Sequence, residues 1–573
     1  MVANDVLYVR GGYYDYTSGS GYWFVPTANS ITVSNYPGET PVFANYNQAN
    51  NQSYALFGIY HLKNVRLIGL TATNCSRLCE IYYSTNCEIA YCDFGYMPNF
   101  NYLLLMQYNS QSNWIHHCKI HDGGYPDVSD PFQIGSDADT INGDYTSYNL
   151  IENNRLYHGG HSVLDLRGPY NIIRSNYCHN DPWMWEAGYK QYGGHRNIGL
   201  ESGAINNVIE YNRCGYAGQP LANNGASGIE GSSSNNIVRF NTCIWNENIG
   251  IKFATKSGWP CGQNRIYNNT LAWNALSPKM QITNYTTGAI LDDDKYAAYD
   301  NGYNNILKNN LFAYNSGADT WHDGNHPNTI ITNRITGFAA SSTKNWTNNL
   351  NGDPLFVNIA ATNTTLLDGF VVLGGPFDET SLDFHLKTNS PCINAGGFLT
   401  TITSASGSGT SFTLADAGYF YNGYGMVPGD QIQLQGQTAH ARITSVNYTS
   451  GQITVDTSLT WTNGQGVALA YVGSAPDIGA YEYGGSVSNI NVPPIVSAPL
   501  IVWSVWQTAS LKVQAQGSAS GATNLFFNFG DGSGNTASAN HTYTTQGTYT
   551  VTVTVTNTLG QVKTDSKSIT VTQ

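Results

Sequence analysis

The sequence predicts an all-β protein whose largest part is a solenoid of stacked parallel strands. Only 11% of the 573 residues are charged, against about 25% in a typical soluble protein, while Gly and Tyr number 60 and 40. Apolar residues alternate with a period of two between Gly, Asn and Ser, which favours strands over helices. A short asparagine motif also recurs along the chain, as expected of a repeat architecture.

The composition argues against two classes of partner. The chain carries 25 Lys+Arg and 38 Asp+Glu, a net charge of -13, and it has no basic block. Nucleic-acid binding depends on clustered cations, so we do not expect it. The sequence contains no run of 18 apolar residues, and we therefore do not expect insertion into a membrane.

The repeat begins with Asn and continues with a β-branched or Leu residue, as in the segment from Asn149 to Asn154. Clear copies start at Asn149, Asn171, Asn207, Asn236, Asn264 and Asn305, and weaker ones at Asn64, Cys87 and Asn113. From Asn149 onward the starts are 22, 36, 29, 28 and 41 residues apart, which suits a coil of about twenty residues with loop insertions.

Two columns of this repeat predict the interior. Asparagine dominates the fifth residue after each start, where we expect a left-handed turn and a ladder of stacked amides. The members of that column are Cys92, Cys118, Asn154, Asn176, Asn212, Asn241, Asn269 and Asn310. The seventh residue is apolar or Cys, which predicts thiols that fill the core: Phe94, Ile120, Leu156, Cys178, Cys214, Cys243, Leu271 and Phe312. Disulfides between Cys75 and Cys79, or Cys87 and Cys92, stay open.

With these repeats, the chain resembles the right-handed parallel β-helices of the pectin-lyase-like superfamily over residues 1–396. Further similar signatures are Asn351–Val357, Asp383–Lys387, Ser390–Gly396 and Pro476–Tyr483. In similar proteins the last two adjoin and close the helix, here with residues 474–483, so we expect 397–473 to be an inserted small β module. Relatives usually carry an N-terminal cap before the first strand, and no signal peptide is seen, so we expect a processed or truncated chain.

The C-terminal part has a different pattern. A Gly/Ser/Asn/Pro-rich linker at 484–494 precedes residues 495–573, which contain Phe527–Ser533 and alternating valines from Val551. These residues resemble a PKD domain, an immunoglobulin-like β-sandwich. PKD domains are typical accessory parts of extracellular proteins, and the resemblance implies an extracellular or cell-surface location.

Candidate catalytic residues form a second column. Asp165, Glu201 and Glu230 stand six residues before three successive repeat starts, and Lys252 holds the matching place in the next coil. Because alternate strand residues share a face, these charges are predicted to point outward as a ladder, with Arg167 on the same face. Neighbouring carboxylates about 5 Å apart repel each other, and this repulsion should raise the pKa of at least one of them. A general acid or a calcium site would require such a cluster.

The spacing of this column leaves the chemistry open. Glu201 and Glu230, one coil apart, suit a retaining glycosidase, whereas Asp165 and Glu230, two coils apart, suit an inverting one. Alternatively the carboxylates hold Ca²⁺ against an acidic sugar while Lys252 or Arg167 abstracts a proton, as in polysaccharide lyases of this fold. The segment ending at Lys252 also resembles a substrate-binding segment of polygalacturonases, but the aspartate motifs that accompany it there are missing.

Loop residues complete the predicted site. Aromatic side chains suited to stacking on sugars are Trp183, Trp185, Tyr189 and Tyr192. Gln133 extends the ladder, and His161 lies near three histidines that recur at one turn, so both are assigned to substrate binding. Metal ligands are predicted among Glu201, Glu230, Asp137 and Asp139, with Ca²⁺ as the ion.

These observations predict a secreted enzyme that degrades a polysaccharide. Glycoside hydrolysis is preferred, because a net acidic surface would repel a polyuronate without calcium. A calcium-assisted polysaccharide lyase is the first alternative. A non-catalytic carbohydrate-binding adhesin, fibre or tailspike is the second.

Overall fold

A computed structural model defines the fold over most of the chain. It describes residues 1–15, 24–44, 55–75, 77–96, 102–123, 130–136, 143, 145–180, 196–217, 227–244, 246, 249–254, 261–272, 274, 288–293, 304–313, 329–331, 334–335, 346–347, 350–351, 353–358, 364–367, 370–373, 383–485, 501–519, 522–557 and 562–573. Within these ranges, no helix has both the length and the apolar character needed to cross a bilayer.

Three parallel sheets form the β-helix, and each coil contributes one strand to each sheet in turn along most of the solenoid. Sheet A consists of Val6–Val9, Thr32–Asn35, Arg66–Ile68, Glu88–Ala90, Trp114–His116, Leu150–Glu152, Ile172–Arg174, Val208–Glu210, Ile237–Arg239, Arg265–Tyr267, Ile306–Lys308, Thr329–Ile331 and Trp346–Thr347. Sheet B consists of Gly12–Asp15, Pro41–Ala44, Thr71–Thr73, Asp93–Gly95, Lys119–His121, Arg155–Tyr157, Tyr177–His179, Arg213–Gly215, Thr242–Ile244, Thr270–Ala272, Leu311–Ala313, Arg334–Ile335 and Leu350–Asn351. The predicted parallel β-helix is therefore confirmed.

Sheet C is the shorter third side, and it carries the predicted catalytic column. Its strands are Phe57–Tyr60, Cys79–Tyr82, Leu104–Gln107, Phe132–Ile134, Ser162–Leu166, Arg196–Leu200, Ser227–Gly231, Ile249–Ala254 and Gly288–Asp293. Within a coil, the chain passes from sheet C to sheet A and then to sheet B.

The predicted apolar column is confirmed in register. Phe94, Ile120, Leu156 and the five residues that follow them in the column pair as direct neighbours on successive strands of sheet B. They are buried in one continuous core cluster. All ten cysteines are free and buried, so the thiols of this column act as small apolar side chains.

The asparagine ladder is also confirmed. From Asn154 to Asn310 each side-chain carbonyl accepts the backbone N–H of the preceding member, over 2.9–3.0 Å. A second ladder, which the sequence did not predict, joins the repeat starts from Asn113 to Asn305 in the same way. Each of the six coils that start between Asn149 and Asn305 thus has two buried amides that satisfy backbone groups where the chain turns.

The predicted left-handed position was wrong by one residue. Positive φ angles occur at the residue before each ladder asparagine, such as Asn153 at 56° and Asn268 at 52°, and not at the ladder asparagine itself. The physical reason is that the ladder amide has to point inward to reach the next coil. The reversal of chain direction therefore falls on its neighbour.

Two segments, Ser390–Gly396 and Pro476–Tyr483, were predicted to close the helix, and we call them the closing segments. Between them the chain forms a six-stranded antiparallel sheet that packs on the outer face of sheet A. Its strands are Thr400–Thr401, Gly407–Thr413, Gln431–Leu434, His440–Asn447, Gln452–Trp461 and Gly466–Leu469, with short 3-10 helices at Ala417–Tyr419 and Gly423–Gly425. We call this unit the docked module. Its apolar side chains share a core cluster with Leu150, Ile172, Val208 and Ile237 of sheet A.

A buried ion cluster fastens the docked module to the β-helix. The Arg239 guanidinium donates to Glu210 on the neighbouring coil over 2.7 and 2.9 Å, and to Asp430 of the module over 2.6 and 3.0 Å. The Tyr421 hydroxyl donates to Glu210 over 3.1 Å. Burial opposes the charge on Arg239, but Asp430, Tyr267 and Glu210 together outweigh burial and raise the pKa of the guanidinium, which stays protonated.

The closing segments meet although a module separates them in sequence. Gly396 N–H donates to the Pro476 carbonyl over 2.8 Å, and Ile478 N–H donates to that of Cys392 over 3.1 Å. Both closing segments pack against the outer face of sheet B. The antiparallel strand pair Phe356–Asn358 and Asp383–Leu386 packs there with them. A separate hairpin pairs Thr364–Leu367 with Phe370–Leu373.

The C-terminal unit is a two-sheet β-sandwich with its own core, which includes Phe527, Tyr543 and Val553. One sheet contains Ile501–Ala509, Lys512–Ala519 and Asn540–Thr542. The other contains Asn535–Thr536, Ala522–Asn528, Gly547–Asn557 and Val562–Val571.

The ladder gives a prediction for stability. We expect Asn212→Ala to lower the free energy of unfolding by about 2–4 kcal/mol, because it leaves Asn176 and Ile173 backbone groups without partners in a dry interior. Urea unfolding followed by circular dichroism measures this change. Asn153→Gly, at a left-handed turn where Gly is equally suitable, is the control and should change stability by less than about 0.5 kcal/mol. Equal effects of the two substitutions would contradict the ladder's role.

The ion cluster gives a second prediction. Arg239→Met strands two buried carboxylates and should destabilise docking of the module by about 3–5 kcal/mol. The triple variant Glu210→Gln, Arg239→Met and Asp430→Asn removes all three charges and should recover much of that loss. Limited proteolysis of the module, together with urea unfolding, measures both. If the Arg239→Met variant resists proteolysis and urea as well as the wild type does, the cluster does not hold the module.

Candidate functional site

The predicted charged column lies on sheet C. Successive strands pair Gln133 with Asp165, Asp165 with Gly199, Gly199 with Glu230, and Glu230 with Lys252. Gln133 therefore extends the column as predicted. It is buried, and its amide donates to the Gly135 carbonyl over 2.7 Å.

Glu201 is not in this column, and its predicted place there was wrong. Gly199 holds the position, and Glu201 lies two residues further, at the corner where the chain leaves sheet C. The corner before Asn207 is two residues longer than those before Asn171 and Asn236, so counting back from the repeat start misses the register. Glu201 nevertheless joins the same charged cluster through Arg196.

Arg196, at the start of its sheet C strand, organises this cluster, and sequence reasoning missed it. Its Nε donates to the Ser162 hydroxyl over 2.7 Å, and one terminal nitrogen binds the Glu201 carboxylate. Its terminal nitrogens also lie 3.5 Å from Asp165 Oδ1 and 3.9 Å from Glu230 Oε1. One guanidinium thus joins carboxylates from three successive coils.

Gly199 makes room for this guanidinium. A Cβ atom built on Gly199 would lie 2.6 Å from Arg196 Nε and 3.0 Å from Asp165 Oδ1. Any side chain there would displace Arg196 from the floor of the cluster. Two features of the sequence could have revealed the arrangement. Gly199 stands in an otherwise charged column, and Arg196, three residues earlier, stands where the neighbouring coils have Ser162 and Ser227.

The electrostatics of the cluster follow from its burial. The Arg196 side chain is 8% exposed, and burial opposes its charge, but Glu201, Asp165 and Glu230 outweigh burial and raise its pKa. Asp130, on the coil before Asp165, is buried as well. Burial and the nearby charge of Asp165 raise the pKa of Asp130.

His161 lies at the edge of the cluster, between Asp130 and Arg196. Its Nδ1 is 3.2 Å from Asp130 Oδ1. One Arg196 nitrogen lies 3.0 Å from its Nε2 and 3.3 Å from its Nδ1. His161 is 30% exposed, so its imidazole reaches the surface of an otherwise buried network.

The remaining predicted residues lie at the rim. Arg167 Nε donates to Asp165 Oδ2 over 2.6 Å, and Lys252 Nζ lies 3.5 Å from Glu230 Oε1. Asp165 is fully buried, whereas the Glu230 side chain is 20% exposed. Four carboxylates therefore alternate with three cations, and the site is close to neutral although the whole chain is acidic.

Of the predicted calcium ligands, the structure describes Glu201 and Glu230, and both contact Arg196. The Arg196 guanidinium binds both Glu201 and Glu230, so a cation shared by these carboxylates would have to displace it. Ligand atoms of Asp130, His161 and Asp165 lie within 4.8 Å of one another. This mixture of nitrogen and oxygen donors suits a transition-metal ion better than Ca²⁺.

Six predicted site residues lie outside the described residues. These are Trp183, Trp185, Tyr189, Tyr192, Asp137 and Asp139. The sugar-stacking role of the first four and the metal-ligating role of the last two stay predictions.

The other recurring histidines form a separate network on sheet B. His121 contacts Asp122 and Asp93, each over 2.7 Å, and its ring stacks on Tyr157 at 4.6 Å. His158 also binds Asp122. Burial disfavours the imidazolium, but hydrogen bonds to Asp122 and Asp93 outweigh it and raise the pKa of His121 to about 9.

Comparison with protein families identifies one part of the chain. Residues 491–572 match the PKD domain family, in agreement with the predicted C-terminal β-sandwich. A PKD domain of a Vibrio cholerae metalloprotease is 28% identical, covering 13% of this chain and 99% of that one, with a TM-score of 0.12. No curated protein matches the sequence.

Solved structures similar to the β-helix include the A-module of an Azotobacter vinelandii mannuronan C-5 epimerase. It is 13% identical and covers 61% of this chain and 91% of its own, with a TM-score of 0.44. A pectate lyase is 15% identical and covers 83% of this chain and 87% of its own, with a TM-score of 0.41.

The His121 network predicts a pH dependence of stability. Since the folded state raises the pKa of His121 from 6.5 to about 9, the stabilisation is complete below about pH 6.5 and is lost as the pH rises through 9. The melting-temperature difference between wild type and His121→Gln should shrink steadily from about pH 6 to about pH 10. A difference independent of pH would contradict a charged His121.

Proposed function

We propose that this protein is an extracellular enzyme that cleaves a polysaccharide at the charged cluster on sheet C. The observation that carries the proposal is the buried Arg196 guanidinium, which joins three carboxylates beneath a partly exposed histidine. The PKD domain supports the extracellular location.

Burying so many charges is costly, and this cluster has no evident structural task. The Arg239 cluster, of similar composition, lies in the interface that holds the docked module. The Arg196 cluster instead reaches the surface at His161, Glu230, Arg167 and Lys252. Preorganised charges that open to solvent are typical of catalytic sites.

The arrangement supports β-elimination better than hydrolysis. Asp165, one of the two carboxylates predicted for an inverting hydrolase, is fully buried and paired with Arg167. The near-neutral charge also removes the expected repulsion of an acidic sugar. In place of two accessible carboxylates, the site offers one partly exposed imidazole between the Arg196 guanidinium and Asp130.

In the proposed reaction, the uronate carboxylate takes over the Arg196 hydrogen bond, and the His161 ring nitrogen that this releases takes the proton from the carbon next to that carboxylate. Asp130 orients the ring and stabilises the imidazolium that forms, while Arg196 neutralises the developing negative charge. The glycosidic C–O bond then breaks, a carbon–carbon double bond forms within the sugar ring, and the leaving oxygen takes a proton from solvent water, while the His161 imidazolium later returns its proton to solvent. His161 is the catalytic base, and Asp130 is a positioning residue.

Hydrolysis is the second candidate, and Glu230 favours it. This carboxylate is partly exposed, and Lys252 and Arg196 on either side keep it ionised, as a nucleophile or general base requires. Hydrolysis would need a second accessible carboxyl group close to it.

Variants of the two candidate residues test the mechanism. His161→Gln should lower kcat by about 10²–10⁴-fold, and Asp130→Asn by less, since the ring stays in place. Glu230→Gln should be the more damaging change only if the reaction is hydrolysis. His440→Gln, which alters a histidine of the docked module, is the control for folding and should keep full activity.

Product analysis on acidic and neutral polysaccharides, with and without EDTA, separates the classes. Unsaturated products that absorb in the ultraviolet are expected. New reducing ends without such absorption would establish hydrolysis instead. Binding without cleavage would establish a non-catalytic carbohydrate-binding protein and overturn the proposal.

A further inference from the structure

A second candidate site lies between the docked module and one corner of the β-helix. The groove there has a volume of about 520 Å³, and none of its lining residues belongs to the charged cluster on sheet C. Binding sites for small molecules typically span about 300–1,000 Å³. The groove is thus large enough for a ligand and is built from two rigid units.

The β-helix wall of the groove is a ladder of turn residues. Each stands one place before a repeat start and has a left-handed backbone: Tyr170 at 57°, Asn206 at 58°, Asn235 at 60° and Gln263 at 55°. They recur once per coil, about 4.8 Å apart, which is close to the length of one pyranose ring. While the asparagines that follow them point inward, these turn residues line the groove wall.

Aromatic rings are held in place along the same groove. Tyr170 stacks on Tyr148 with ring centres 5.2 Å apart, and Tyr424 of the module meets both rings edge-on. The Tyr424 hydroxyl donates to the Asn206 carbonyl over 2.9 Å. On the module wall, Tyr448 is 50% exposed, and its hydroxyl donates to the Phe420 carbonyl over 3.0 Å.

The charged groups in the groove neutralise each other. Arg265 donates to both carboxylate oxygens of Asp416 over 2.9–3.1 Å, and Asp416 also accepts from the Gly418 N–H over 2.8 Å. What remains for a ligand is amides, which both donate and accept hydrogen bonds, and aromatic faces. Sugar hydroxyls match the amides, and the C–H faces of sugar rings match the tyrosines.

We propose that this groove binds a neutral oligosaccharide segment, which lies along the ladder of turn residues and against Tyr448. The groove is a non-catalytic binding site. It does not depend on the proposed function, since it shares no residue with the cluster on sheet C.

Calorimetric titration with cellotetraose, xylotetraose, mannotetraose and tetragalacturonate tests the proposal on the full chain. At least one neutral tetrasaccharide should bind wild type, and tetragalacturonate should bind at the groove more weakly. The double variant Asn235→Gly and Tyr448→Ala should weaken this binding about tenfold or more. Gly tolerates the left-handed backbone at residue 235, whereas Tyr448→Ala removes the hydrogen bond to the Phe420 carbonyl, so the unfolding temperature should fall by a few degrees while the protein stays folded at the titration temperature.

A matched control is Asn304→Gly with Tyr13→Ala. Asn304 has the same left-handed backbone, at 58°, one coil beyond Gln263, and Tyr13 is an exposed tyrosine outside the groove. The control should bind like wild type. Absence of binding to every neutral tetrasaccharide, or equal binding by the groove variant and wild type, would overturn the proposal. If His161→Gln abolishes cleavage but the groove still binds the neutral tetrasaccharide, the groove proposal is supported independently of the catalytic one.

Discussion

The stacking of one coil on the next is the constraint on which the whole structure depends. Each coil must turn while its backbone is buried, and the two asparagine ladders supply the hydrogen bonds that those turns need. Because the ladders fix the register, loops of very different length can leave between them without shifting the strands. Residues far apart in sequence, such as Asp130, Asp165 and Glu230, can therefore meet in one cluster.

The same constraint explains how much of the structure the sequence predicts. The interior columns are read correctly because their members repeat at fixed distances from the ladder, as the run from Phe94 to Phe312 shows. Glu201 was misplaced because the corner between sheet C and sheet A varies in length, and counting from Asn207 crosses that corner. The left-handed turns lie one residue before the predicted position, because the sequence alone does not say which of two adjacent polar residues points inward.

Arg196 escaped prediction for a different reason. It is the first residue of its strand, and the residues beside it in neighbouring coils are Ser162 and Ser227, so no column of charge marks it. Its importance comes from three carboxylates that reach it from other positions. Contacts of this kind depend on side-chain direction and length, which repeat spacing does not encode. The Arg239 cluster contains the same kinds of groups, but the docked module covers it, whereas the Arg196 cluster reaches the surface at His161 and Glu230.

The place where the docked module enters the chain has a consequence for the length of the inserted segment. The two halves of the closing segment are hydrogen bonded to each other, with Gly396 and Pro476 in direct contact, so the ends of the insertion are already held together. Closing a longer loop between fixed ends costs little extra entropy. The segment between these two fixed ends can therefore change in length without moving the coils, provided that the Arg239 cluster and the apolar outer face of sheet A stay covered.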